Sequence, residues 1–209
     1  MIKRGASIVA STMLLILNQP GWGESLSDAQ LQTKPENRTA NTPVNIQNVF
    51  TPSGWMGDGE FGRKYVEFSG KDAANPHSAP TSIKVTYTFG PKSWAGIYWQ
   101  NQPDNWGQKP GNSYAGSGLS KITFWARGQT GHEVVEFKSG GVAGEGKQYR
   151  DSYTATIGRV ELGKEWKQYQ IPLASLDLSS VIGAFAWVAS ADYNEGKAVT
   201  FYLDDIVLE

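Results

Sequence analysis

Residues 82–89, Ser-Ile-Lys-Val-Thr-Tyr-Thr-Phe, alternate apolar and polar side chains along their whole length. Successive side chains of a strand point to opposite faces of a sheet, so this alternation predicts a strand with one buried and one exposed face. The buried side is predicted to be Ile83, Val85, Tyr87 and Phe89. The stretch therefore predicts a sheet that covers a core on one side and meets solvent on the other.

Nine further runs with the composition of strands occur between residue 44 and the C-terminus. Gly, Pro, Asn and Asp, which favour turns, separate these runs. About ten strands, with no helical apolar spacing after the N-terminus, predict an all-β fold in which two antiparallel sheets pack as a β-sandwich. The predicted strands are 44–50, 64–69, 82–89, 94–100, 121–127, 133–138, 152–157, 166–171, 182–189 and 199–208.

Composition and charge exclude several classes of function. The 209 residues have the length of one domain with extensions. With 19 basic and 20 acidic residues the net charge is −1, so the chain lacks the basic excess that phosphate contacts require, and we exclude nucleic acid as a partner. The absence of cysteine from the sequence excludes disulfides and thiol chemistry.

Residues 1–23 have the three parts of a secretory signal peptide. Residues 1–4 include two positive side chains, residues 6–17 are apolar, and residues 21–23 supply the small residues of a cleavage site. The alternative is a membrane anchor, but the apolar run is shorter than the ~20 residues that cross a bilayer. We therefore predict cleavage near Gly23, no membrane span after processing, and a secreted or periplasmic protein.

The next segment, residues 24–43, is polar and has no apolar periodicity. Such a segment cannot bury enough apolar surface to fold, so we predict a disordered leader. The predicted organisation is a signal peptide at 1–23, the leader at 24–43 and one β-sandwich domain at 44–209.

Residues 94–107, Trp-Ala-Gly-Ile-Tyr-Trp-Gln-Asn-Gln-Pro-Asp-Asn-Trp-Gly, place four aromatic rings among amide and carboxylate side chains. Strand alternation puts Ala95, Ile97 and Trp99 on the more apolar face, which we predict to be buried. The outward side chains are then Trp94, Tyr98 and Gln100 of the strand and Trp106 of the surface loop that follows.

These outward rings predict a saccharide-binding site. A pyranose has an apolar C–H face edged by hydroxyls, so an indole ring buries apolar area while amides bind the hydroxyls. At ~25 cal/mol per Å², burial of ~50 Å² on one ring contributes about 1 kcal/mol. Two or three rings with a few hydrogen bonds predict dissociation constants from about ten micromolar to millimolar. The candidate ligand-binding residues are Trp94, Tyr98, Gln100, Trp106, Trp125 and Arg127, whereas Trp55 and Trp166 are assigned to the core.

Four segments of the C-terminal half carry a resemblance to a known family: 119–128 (LSKITFWARG), 166–173 (WKQYQIPL), 181–183 (VIG) and 201–206 (FYLDDI). Together they resemble the jelly-roll, galactose-binding-like carbohydrate-binding domains of bacterial secreted proteins. The resemblance covers roughly residues 44–209. It implies a non-catalytic module that binds a poly- or oligosaccharide. Such modules usually accompany a catalytic domain, which we do not find in this chain, so we expect it either to act alone or to work with a separate catalytic protein.

The resemblance also implies a structural calcium ion near the junction of the first and last strands. One ligand is expected from the FYLDDI segment, where Asp204 or Asp205 matches. Adjacent residues of a strand point to opposite faces, so at most one of the two is a ligand unless a bulge intervenes. Further ligands are expected from Asp58, Glu60 and Asp72, among which the sequence does not choose.

Catalysis has little support in the sequence, which contains only two histidines, His77 and His132. Their separation disfavours a zinc site or a Ser-His-Asp triad. A small jelly-roll glycoside hydrolase or lyase remains the first alternative, because two carboxylates roughly 5 to 9.5 Å apart in the aromatic cleft are sufficient for hydrolysis. The second alternative is a structural or partner-binding module of the envelope. The carboxylates available for hydrolysis include Asp104, Glu133, Glu136 and Asp151.

Overall fold

A computed structural model describes residues 42–209. The predicted signal peptide, and the predicted leader up to residue 41, lie outside the described residues. Within residues 42–209, no helix has both the length and the apolar character needed to span a bilayer.

Strands dominate the described part of the chain. The helical pieces are short: one α-helical turn at Ile46–Val49 and two 3₁₀ segments at Asp58–Lys64 and Ala191–Tyr193. The elements in chain order are β1 (Val44–Asn45), α1 (Ile46–Val49), β2 (Thr51–Gly57), β3 (Val66–Asp72), β4 (Ser82–Tyr87), β5 (Trp94–Gln100), β6 (Lys121–Gly128), β7 (Glu133–Gly140), β8 (Thr154–Leu162), β9 (Lys167–Pro172), β10 (Gly183–Ser190) and β11 (Val199–Leu208).

The strands form two antiparallel sheets. Sheet A has the order β3-β4-β11-β6-β9, with β1 also paired to β11, and sheet B has the order β2-β5-β10-β7-β8. Apart from the pairs β3–β4 and β7–β8, neighbouring strands in each sheet are not consecutive in the sequence, as in a jelly roll. The predicted all-β, two-sheet sandwich is confirmed.

The core lies between the inner faces of the two sheets, where alternation predicted it. Ile83, Val85 and Tyr87 of β4 are buried, as are Ala95, Ile97 and Trp99 of β5. Aromatic pairs join the two sheets. The ring centroids of Phe124 in sheet A and Phe137 in sheet B are 4.7 Å apart, and those of Trp187 in sheet B and Phe201 in sheet A are 5.2 Å apart. These tilted and edge-on ring pairs stabilise the sandwich beyond the area that they bury.

The first predicted strand, 44–50, is wrong in part. The chain there forms the two-residue strand β1, then the turn α1, and β2 follows as a strand that the sequence did not predict. The sequence did not predict β2 because it contains Pro52 and Gly54, and both residue types are depleted in strands. β2 is an edge strand with a bulge between Pro52 and Gly54, and an edge strand tolerates a proline because its outer side needs no ladder hydrogen bond.

Of the two tryptophans assigned to the core, only Trp55 packs against it. Trp166 lies instead on the outer side of sheet A, where its ring contacts His77 and Tyr202. Its indole N–H donates to the carbonyl of Asn75. Trp166 precedes β9, so strand alternation does not fix the direction of its side chain.

Candidate functional site

The side of sheet B that faces away from the core forms a broad surface, which we call the sheet B surface. Small residues occupy its middle, and a Cβ atom at Gly96 would lie only 2.7 Å from Met56 Cε. Glycine at this position therefore leaves room for the Met56 side chain to pack across β5. The outward residues of the strands are Gly54 and Met56 of β2, Trp94, Gly96, Tyr98 and Gln100 of β5, Ala186, Val188 and Ser190 of β10, Glu136 and Lys138 of β7, and Thr156 and Arg159 of β8.

Gln100 positions the loop that carries Trp106. Its side chain is fully buried, with Nε2 donating to the Asn105 carbonyl at 2.9 Å and Oε1 accepting from Ser53 Oγ at 2.8 Å. Asn105 in turn accepts the amides of Gly107 and Lys109 through Oδ1. Gln100 points outward as predicted, but the loop covers it, so we expect it to hold the loop rather than to contact a ligand.

Tyr98 supports the ring of Trp106. The two rings meet edge to face with centroids 6.0 Å apart, and Tyr98 is only 9% exposed. Its hydroxyl donates to the Gly140 carbonyl at 2.9 Å. Burial, with smaller contributions from the negative charges of Asp151 and Glu136, raises the pKa of Tyr98 to about 12. The phenol is therefore neutral at ordinary pH, and its ring supports the indole of Trp106.

A second loop, residues 141–153, lies beside Trp106 and is anchored by Asp151. The carboxylate of this buried residue accepts the amides of Ile182, Gly183 and Val142. Burial raises the pKa of Asp151 to about 6, although these three hydrogen bonds oppose the shift. The loop brings the ammonium group of Lys147 to 5.5 Å from the centre of the Trp106 ring.

Two more rings are exposed on the opposite end of the sheet B surface. Trp94 is 38% exposed at the start of β5, and Tyr193 is 41% exposed just after β10. The guanidinium of Arg159 lies 3.6 Å from the centre of the Tyr193 ring. Tyr193 was not predicted, although it has the same signal as Trp106, an aromatic residue in a polar turn after a strand.

Polar side chains of β7 and β8 lie on the sheet B surface between these rings. Glu136 and Lys138 form an ion pair at 3.1 Å, and the hydroxyl of Thr156 donates to Glu136 at 3.3 Å. Both charged side chains remain partly exposed. They provide acceptors and a donor for sugar hydroxyls beside the aromatic rings.

The other carboxylates considered for hydrolysis are held elsewhere. Glu133 is buried and accepts the backbone amide and hydroxyl of Thr130. Asp151 is engaged by backbone amides, and Asp104 lies in the exposed loop before Trp106. Among the four carboxylates considered for hydrolysis, only Glu136 is a strand residue that faces outward on the sheet B surface.

Trp125 and Arg127 do not join this site. Both belong to β6 and face outward from sheet A, on the opposite side of the sandwich. His77 stacks on Trp125 with centroids 3.8 Å apart. Arg127 is only 9% exposed and lies 3.8 Å from the centre of the Tyr202 ring. We call these side chains, together with Trp166, the sheet A surface.

Two adjacent aspartates of a strand can turn to the same side only if a bulge intervenes, and β11 has such a bulge after Asp204. Asp204 Oδ2 accepts the Ser78 amide at 2.9 Å, and Asp205 Oδ2 accepts the Ser78 hydroxyl at 2.6 Å and pairs with His77 at 2.8 Å. Both carboxylates therefore turn toward the segment 73–81 and hold it against sheet A.

The further calcium ligands that the sequence suggested do not gather at this pair. Asp58 accepts the Tyr87 hydroxyl and two backbone amides, Glu60 pairs with Lys92, and Asp72 accepts the Ala74 amide. Despite burial, these hydrogen bonds lower the pKa of Asp58. Within residues 42–209 no group of three or more His, Asp or Glu side chains is arranged to hold a metal ion.

Carbohydrate-binding modules are among the solved structures with a similar fold, although no protein-family model and no curated protein matches the sequence. A family 30 carbohydrate-binding module is 16% identical, with a TM-score of 0.54, over 80% of this chain and 98% of that one. The family 30 module of a cellulosomal cellulase of Clostridium thermocellum is 15% identical, with a TM-score of 0.50, over 81% of this chain and 94% of that one. The resemblance to jelly-roll carbohydrate-binding domains is thus confirmed at the level of the fold.

Proposed function

We propose that the β-sandwich is a non-catalytic carbohydrate-binding domain that binds a poly- or oligosaccharide on the sheet B surface. The observation that carries the proposal is Trp106, a partly exposed indole held in place by Tyr98 and by the loop that Gln100 and Asn105 fix. A protein that fixes a surface ring with buried polar contacts presents that ring in one orientation. The fold shared with carbohydrate-binding modules supports the same conclusion.

The dimensions of the surface suit an extended ligand. Its five strands, spaced ~4.8 Å apart, span about 19 Å from β2 to β8. In the perpendicular direction, along the strands, rings lie at both ends and the Glu136–Lys138 pair lies between them. Each sugar packed on a ring contributes about 1 kcal/mol through apolar burial, so two or three contacts give weak binding that holds the protein near a polymer.

Binding without turnover distinguishes this proposal from the glycosidase alternative. Purified protein should be retarded in gels that contain its polysaccharide ligand and should release no reducing ends from it. Sustained release of reducing ends that Glu136→Gln abolishes would establish the glycosidase instead. In that case a second carboxylate would have to lie roughly 5 to 9.5 Å from Glu136 in the complex.

We also propose a structural calcium ion at the bulge of β11 and export of the protein. The two carboxylates that converge on Ser78 support calcium, since a hard cation prefers such oxygens and takes its remaining ligands from carbonyls and water. The signal-peptide pattern of residues 1–23 supports export. Mass spectrometry of the exported protein tests the latter, and retention of residues 1–23 would contradict it. A separate catalytic protein that acts on the same polymer completes this proposal.

A further inference from the structure

Two aromatic rings of the sheet B surface each have a cation over them. Lys147 Nζ lies 5.5 Å from the centre of the Trp106 ring, and the Arg159 guanidinium lies 3.6 Å from that of Tyr193. Trp106 follows the end of β5, and Tyr193 follows the end of β10. Because β5 and β10 are antiparallel neighbours, the two ring–cation pairs lie at opposite ends of the surface.

Within residues 42–209 neither cation forms an ion pair with a carboxylate, although the charge of the buried Asp151 carboxylate acts on Lys147. Glu136 pairs with Lys138, and Glu161 pairs with His132. The buried carboxylate of Asp151 is engaged by three backbone amides. In the described part of the chain, the charged groups of Lys147 and Arg159 make no ion pair or hydrogen bond, so their donors remain available to a ligand.

Resting on the proposed function, we propose that the ligand is an acidic polysaccharide whose sugars carry carboxylate groups. A sugar ring packs its C–H face on the part of Trp106 or Tyr193 that the cation leaves exposed, and its carboxylate pairs with Lys147 or Arg159. The Arg159 guanidinium lies 3.6 Å from the centre of the Tyr193 ring, and a guanidinium beside an aromatic ring can bind a carboxylate through two parallel hydrogen bonds.

The proposed preference for acidic polysaccharides comes from the sheet B surface and not from the overall charge of the chain. The net charge of −1 gives the chain no general attraction for polyanions. The sheet A surface offers a matched control, because Lys84 Nζ lies 5.9 Å from the centre of the Tyr202 ring. Lys84 is thus a cation over a ring, on the opposite side of the sandwich.

The experiment compares acidic and neutral polymers that share a backbone. Suitable pairs are polygalacturonate with its methyl ester, glucuronoxylan with xylan stripped of uronate, and C6-oxidised with unmodified cello-oligosaccharides, all measured by affinity electrophoresis or calorimetry. In at least one pair the acidic member should bind about three- to tenfold more tightly at low salt, as expected for two exposed ion pairs. This difference should shrink as the Debye length falls to ~3 Å at about 1 M salt.

Variants assign the preference to the two cations. Lys147→Ala with Arg159→Ala should remove the difference between acidic and neutral polymers, and Lys147→Glu with Arg159→Glu should reverse it. Lys84→Ala should leave the difference unchanged. Thermal unfolding of each variant confirms that the sandwich is intact.

The outcomes separate the two proposals. Equal or tighter binding of the neutral member in every pair overturns the acidic ligand but leaves saccharide binding standing. A preference that survives in the double alanine variant, or disappears in Lys84→Ala, also overturns it. Failure to bind any polymer, acidic or neutral, overturns the proposed function itself.

Discussion

The two outer surfaces of the sandwich carry similar side chains but differ in what covers them. On the sheet A surface, the segment 73–81 lies over the outward rings, with His77 stacked on Trp125. On the sheet B surface, Trp94 and Tyr193 are open to solvent, and Trp106 is raised on a loop. Strand alternation predicts which side chains point outward, but coverage by distant segments decides which of them a ligand can reach.

Contacts distant in sequence produce the difference. Asp204 and Asp205 hold the segment 73–81 against sheet A through Ser78 and His77, more than a hundred residues away. On sheet B, the loops that rise above the sheet pack on each other instead, with the Tyr149 amide donating to the Gly107 carbonyl. The segment 73–81 therefore covers the sheet A surface, whereas the loops of sheet B lie beside the sheet B surface and leave it exposed.

The largest expected effect separates the two faces of β5. Trp99 is fully buried in the core, so Trp99→Ala should lower the free energy of unfolding by about 3 to 5 kcal/mol. Trp94→Ala, on the outward face of the same strand, should change it by less than about 0.5 kcal/mol. Urea denaturation measures both. Equal destabilisation by the two variants would mean that the outward face of β5 is packed as tightly as the core.

Asp151 should make the stability of the sheet B loops depend on pH. Burial raises the pKa of Asp151 in the folded state to about 6, above the ordinary value of 3.8, so between these values the folded protein binds the proton more tightly than the unfolded chain. The free energy of unfolding should therefore fall by roughly 2 to 3 kcal/mol as pH rises from about 4 to about 6, and then level off.

The difference in unfolding free energy between the wild type and Asp151→Asn isolates this contribution, because most other titrating groups cancel. That difference should decrease across the same pH range. A difference that rises with pH would show that the three backbone amides stabilise the carboxylate more than burial destabilises it.

Calcium should stabilise the cover of the sheet A surface. An ion bound only by the folded state adds about 2.7 kcal/mol at a hundredfold excess over its dissociation constant. The melting temperature should therefore rise with calcium in the wild type but not in Asp204→Ala with Asp205→Ala. Asp72→Ala, at the end of β3, is the control and should keep the response. An identical melting temperature in chelator and in excess calcium would leave the pair as a purely hydrogen-bonded clamp.

The sequence was sufficient to predict the sandwich because alternation is a local property. β5 and β11 were predicted with the residue bounds that the structure shows, and the inward residues of β4 were correct. Alternation failed where local preference and position in the sheet disagree, as at Pro52 in the edge strand β2.

The candidate site was predicted only in part, because its accessibility depends on loops. Gln100 points to the predicted side but is buried by a loop whose path the sequence does not specify. Trp125 and Arg127 were grouped with Trp106 because all point outward, yet pairing of the strands into two sheets places them on opposite sides. Tyr193 was missed although, like Trp106, it lies in a polar turn after a predicted strand.

The most direct test of the account compares the two surfaces by single substitutions of matched residues. Trp106→Ala removes a ring of the sheet B surface, and Trp125→Ala removes one of the sheet A surface. We expect Trp106→Ala to weaken binding of the identified polysaccharide about fivefold, equivalent to about 1 kcal/mol, with the fold intact. Trp125→Ala should leave the dissociation constant unchanged. Loss of binding in Trp125→Ala with normal binding in Trp106→Ala would place the ligand on sheet A and contradict the account.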